Sequence, residues 1–121
     1  MPHMTDSTTT VAELRNLVQQ FVSERNWEQF HTPKNLAMSI SIEAAELMEL
    51  FQWTDADESG RRAGIEPHRT RLAEELADVL CYALSLANAT GLDLSDAIQA
   101  KLAKNRLKYP ADEFRDRFEK T

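Results

Sequence analysis

Residues 41–53 read SIEAAELMELFQW. The apolar positions suit a core helix, yet Glu43, Glu46 and Glu49 recur within it at every third residue. Buried carboxylates are costly unless something partners them. With about 100° per residue, Leu36, Ile40, Leu47 and Leu50 all fall within roughly 60° of Glu43. Glu43 therefore lies in the middle of an apolar stripe, Glu46 sits at its edge and Glu49 turns toward solvent.

A second stretch repeats the pattern. In EELADVLCYALSLA, Leu72, Val79, Tyr82 and Leu86 flank Glu75 within roughly 60°, and Asp78 lies one turn on. Packing the two faces together collects four carboxylates. Two of them about 4 Å apart repel by about 4 kcal/mol at an effective dielectric near 20. Protons, basic partners or a hard dication would relieve this, and oxygen ligands favour magnesium or manganese. A ferritin-like di-iron centre is disfavoured: it needs Glu-x-x-His on two helices, and only Glu28 and His31 have that spacing.

Around these stretches the chain reads as helix throughout. It has three glycines, four prolines and no strand-like alternation. Thr10 and Glu13 have capping-box spacing ahead of a first helix carrying Leu14, Leu17, Val18, Phe21 and Val22. WEQFHTPK interrupts, and Thr32–Pro33 starts a second helix that runs to about Gln52. TDADESGRRAGIEPH, polar and with two glycines, reads as a loop. A third helix runs from near Pro67 to Thr90, where Gly91 stops it. A fourth, capped by Asp93 or Ser95, runs to about Lys108, and Tyr109–Pro110 ends it. The expected fold is all-α, a four-helix bundle. Apolar residues on more than one side of two helices predict an oligomer. The expected organisation is an N-terminal segment 1–9, a single domain 10–110 and a tail 111–121.

The 121 residues are 42% hydrophobic and 28% charged, with a formal net charge of −6. That composition is globular, and the acidic balance argues against nucleic acid as a partner. Apolar runs are too short for a bilayer span, and no basic-then-apolar leader is read at the N-terminus. The one cysteine, Cys81, cannot form an internal disulfide or a cysteine zinc site within a chain. It is expected to be a small buried hydrophobe in a reducing, cytoplasmic setting.

Glu43-x-x-Glu46 followed by Glu75-x-x-Asp78 resembles the motif of the MazG-like all-α nucleoside triphosphate pyrophosphatases. WEQFHTPKNLAMSISIEAAELMELFQW, EELADVLCYALSLA and KLAKNRLKYP are similar to segments of the dCTP pyrophosphatase branch, in the same order, over roughly residues 11–110. The resemblance implies hydrolysis of a deoxynucleoside triphosphate to monophosphate and pyrophosphate, with Mg2+ or Mn2+ held by Glu43, Glu46, Glu75 and Asp78. Glu46 is read either as a ligand or as the group that orients the attacking water.

It also implies a homotetramer, a dimer of dimers, with sites built across subunits. Trp27, His31, Asn35, Trp53 and Tyr82 then fall at the nucleotide, and Lys101, Asn105, Arg106 and Tyr109 at the phosphates. On their own these last residues would read as a solvated helix end with favourable dipole charge. Lys108 stands where the family often has Arg, which replaces a bidentate phosphate contact with a point charge. The same chemistry on dUTP or on broad noncanonical triphosphates, and a non-catalytic nucleotide- or metal-binding helical oligomer, remain as alternatives.

Overall fold

In the computed structural model, residues 3–119 are described; they contain helices and no strand. The expected all-α class is therefore found, but with more helices than four. They are α1 (Val11–Glu24), α2 (Pro33–Glu49), α3 (Ala56–Ala63), α4 (His68–Thr90), α5 (Leu94–Lys108) and the single turn α6 (Ala111–Phe114). No described helix is long and apolar enough to cross a membrane.

Local chemistry sets the boundaries. Thr10 and Glu13 close the capping box at α1: the Glu13 amide donates to Thr10 Oγ1 and the Thr10 amide donates to Glu13 Oε1, both at 3.1 Å. Thr32 Oγ1 accepts from the Asn35 amide at 3.1 Å, with Pro33 opening α2. A 3-10 turn, Glu28–Phe30, fills the interruption between α1 and α2. Gly91 ends α4 in the left-handed region at φ 72°, where a side chain would be strained. Asp93, rather than Ser95, caps α5 through the Asp96 amide at 2.9 Å.

Two expectations are corrected. The segment after Trp53 is not all loop, because Ala56–Ala63 is helical. Asp55 caps it, accepting from the Glu58 amide at 2.8 Å. Glu58 then pairs with Arg61 at 2.6 Å and Arg62 at 2.9 Å, one turn ahead. The second correction concerns Cys81, which is exposed rather than buried.

The chain divides into two compact units, one up to Gly91 and one from Leu92. In the first, α2 packs along α4, and α1 and α3 pack on α4 as well. Val22 of α1, Leu36 of α2 and Ala87 of α4 form its buried apolar centre. A polar clasp fixes α1 across α4: Arg15 Nε donates to Asn88 Oδ1, and Asn88 Nδ2 donates to the Arg15 carbonyl, both at 3.0 Å. In the second unit, the Tyr109 ring meets Phe114 edge-on at 5.1 Å, and the Tyr109 amide donates to the Asn105 carbonyl at 2.7 Å.

A candidate carboxylate centre beside an apolar cavity

The α2–α4 packing brings the two acidic stripes face to face. Carboxylate oxygens of Glu43, Glu75 and Asp78 all lie within 4.8 Å of one another. Glu43 and Glu75 are half-buried and Asp78 is exposed, so the cluster has a closed side and an open one. Glu46, exposed, stands outside this group of three but against both Glu43 and Glu75.

Ionised carboxylates have no hydrogen to offer one another. Glu43 Oε2 and Glu75 Oε2 are accordingly buried without a hydrogen-bond partner. Burial first, then the Glu46 carboxyl and the charges of Asp78 and Glu75, push the Glu43 pKa up to about 6. Glu75 is raised as well, by burial and then by Glu46 and Asp78, with Arg71 opposing. Both groups hold their protons more tightly than a free carboxyl because burial and the neighbouring carboxyls disfavour the charged form. Two orphaned carboxylate oxygens converging with a third carboxylate fit a hard divalent ion, which prefers charged oxygen donors.

Asp78 also lines a neighbouring cavity of about 450 Å3. The apolar face of α1 supplies one wall through Leu17, Val18, Phe21 and Val22. Trp27 and His31 close one side, and α4 contributes Asp78, Cys81, Tyr82 and Ser85. Trp27 is held edge-on to Phe21 with ring centroids 5.7 Å apart. The Arg25 guanidinium lies 3.7 Å over the opposite partner of that pair, Phe21. Size, apolar walls and a few polar groups are the features of a small-molecule site.

The structure thus joins four acids, Trp27, His31 and Tyr82 in one region. Asn35 is not in the cavity lining: its Nδ2 donates to the Phe30 carbonyl at 3.0 Å and ties down the turn before α2. Trp53, 88% exposed, lies apart from Trp27, lining a smaller recess of about 170 Å3 with Arg62, His68 and Arg71. Lys101, Asn105 and Arg106 lie on α5 and Tyr109 ends it, in the second unit. Glu28, the acid of the lone Glu-x-x-His, accepts from Ser23 Oγ at 2.9 Å. Reasoning from sequence missed Ser85 as a lining residue. Its signal was the stripe Asp78, Tyr82, Ser85, spaced i, i+4, i+7.

The MazG-like family matches residues 38–121. The chain belongs to the MazG-like family.

A solved structure of a pyrophosphatase from Archaeoglobus fulgidus superposes with a TM-score of 0.77 at 40% identity, covering 91% of this chain and 98% of that one. Among curated relatives, bovine dCTP pyrophosphatase 1 is 41% identical over 109 residues, 90% of this chain and 64% of the relative. Human dCTP pyrophosphatase 1 is 43% identical over 102 residues, 84% of this chain and 60% of the relative. The chain therefore spans a little under two thirds of the length of these curated relatives.

Proposed function

We propose that this MazG-like chain is a pyrophosphohydrolase. It would convert a deoxynucleoside triphosphate, dCTP or a 5-modified dCTP by preference, to the monophosphate and pyrophosphate, clearing such nucleotides from the pool. One observation carries the reading: Asp78 belongs both to the three-carboxylate cluster and to the wall of the apolar cavity. A ligand with a flat base in the cavity would therefore hold its phosphates at the acids. The names of the bovine and human relatives support cytosine as the base.

Glu43, Glu75 and Asp78 would hold the dication, magnesium by our reading, with manganese able to replace it. When bound, it neutralises phosphate oxygens and makes a coordinated water more acidic. The chain's own residues do the rest. Glu46, outside the three-carboxylate group and solvent-accessible, hydrogen-bonds the attacking water and takes its proton as oxygen bonds to the α-phosphorus. The bond from the α-phosphorus to the bridging oxygen breaks, and pyrophosphate leaves. Tyr82, one turn past Asp78, flanks the deoxyribose. Trp27 and Phe21 form the apolar walls for the base, and His31 offers one polar contact at the rim.

On this proposal Lys101, Asn105 and Arg106 are phosphate-binding residues, and exposed Trp53 serves the site of a neighbouring copy within a homotetramer. Residues 10–110 act as the working domain, in the cytoplasm, with neither nucleic acid nor membrane as a partner.

The test is product analysis on a panel of dNTPs and NTPs, with and without magnesium. Monophosphate plus pyrophosphate from dCTP, only with metal, is expected. Asp78→Ala should lower turnover at least about 100-fold. Glu46→Gln should lower turnover while keeping metal affinity. Preference for dUTP or another base would retain the chemistry and reject the cytosine assignment. No turnover of any triphosphate would reject the reading in favour of a binding module.

A further inference from the structure

Ser85 is the one buried polar residue among the described side chains, 5% exposed, and it lines the cavity. Serine in a helix commonly turns its hydroxyl back to the carbonyl one turn earlier. Ser85 does not: its hydroxyl makes no hydrogen bond with any described residue, nor is it among the sealed-off polar atoms. It keeps access to a cavity whose nearby walls, Val18, Phe21 and Val22, are apolar. Water reaching the cavity can pair that hydroxyl, so a ligand that displaces the water has to supply a partner in its place.

Its place along α4 says which part of a ligand would do so. Asp78, Tyr82 and Ser85 share one stripe of the helix. At about 1.5 Å rise per residue, Tyr82 lies about 6 Å and Ser85 about 10 Å beyond Asp78 along the axis. The acids mark the phosphate end. A nucleotide anchored there extends through its sugar at Tyr82 and brings its base to Ser85.

We propose that Ser85 is a specificity-determining residue whose hydroxyl hydrogen-bonds the polar edge of the base at the inner end of the cavity. This rests on the reading of the cavity as a nucleoside site. A hydroxyl is donor and acceptor at once, so it selects bases with a polar edge over apolar surrogates of the same shape.

Calorimetric titration with magnesium present tests this without turnover. The ligands are dCMP and the monophosphate of an apolar base isostere such as 2,4-difluorotoluene, each on the full chain and on Ser85→Ala. The substitution removes one oxygen from a helical position and adds no bulk. The expected result is that Ser85→Ala weakens dCMP about fivefold and leaves the isostere unchanged. Equal losses for both ligands would show a merely structural role and overturn the proposal. So would an unchanged dCMP affinity, or no dCMP binding by the unaltered chain. Intact, Ser85-dependent dCMP binding in a chain that hydrolyses no triphosphate would reject the enzymatic reading and keep this contact.

Discussion

Glu43 shows how a single residue can be unfavourable for the fold and useful to the site. Its pKa is raised from 4.5 to about 6, first by burial and then by the neighbouring carboxyls, and Glu75 is raised in the same direction. An acid with a raised folded pKa binds its proton more tightly folded than unfolded. Its stabilising contribution is complete below about 4.5 and is lost as pH rises through about 6. Thermal unfolding in a chelator should therefore find Glu43→Gln more stable than the parent chain at pH 7 and equal to it near pH 4.5. Magnesium at pH 7 should raise the melting temperature of the parent and raise that of the variant less. A variant no more stable than its parent at pH 7 would contradict this account.

The positions of these acids could be read from helical spacing because Glu43 and Glu75 each interrupt an otherwise apolar stripe. Ser85 could not be read the same way. A serine in the run SLA has no such contrast, and only its spacing from Asp78 and Tyr82 marks it.

At the scale of elements, α3 shows why a polar segment was legible only in part. Gly60 and Gly64 point to a loop, and eight residues without an apolar stripe give no periodic signal. What forms the helix is capping and charge: Asp55 at the N-terminus and Glu58 reaching Arg61 and Arg62. Those pairs hold the Glu58 carboxyl down at about 2, chiefly through hydrogen bonds from Arg61 and then Arg62. α3 is therefore expected to open locally, without unfolding of α2 and α4. Asp55→Ala removes a cap contributing about 1 kcal/mol, so hydrogen exchange across Ala56–Ala63 should speed up about fivefold. Amides in the middle of α4 should keep their rates. Equal acceleration in α3 and α4 would instead show that the two open as one unit.

For the whole molecule, the decisive quantity is how little of its apolar surface one chain covers. Only Val22, Leu36 and Ala87 are buried hydrophobic residues among the described ones. Meanwhile Leu14, Leu17 and Phe21 on α1, Met38, Ile42 and Met48 on α2, and Leu76 and Leu80 on α4 are 37–65% exposed. The sequence conveyed this through helices apolar on more than one side, whereas the number of copies that bury those sides came from resemblance alone. Burial stabilises by about 25 cal/mol per Å2 of apolar surface removed from water, so association of copies would add what a single chain leaves unused. The proposed tetramer predicts a sedimentation mass of four times the 13.8 kDa chain at micromolar concentration, and a melting temperature that rises with concentration. Leu80→Glu and Ile42→Glu change positions 53% and 57% exposed in the single chain, where a glutamate costs an isolated protomer little. In an assembly that covers these positions, each would bury an unpaired charge and shift the mass toward smaller species. A parent chain that sediments as a monomer, with both variants equally stable, would leave the exposed apolar faces unassociated and reject the tetramer.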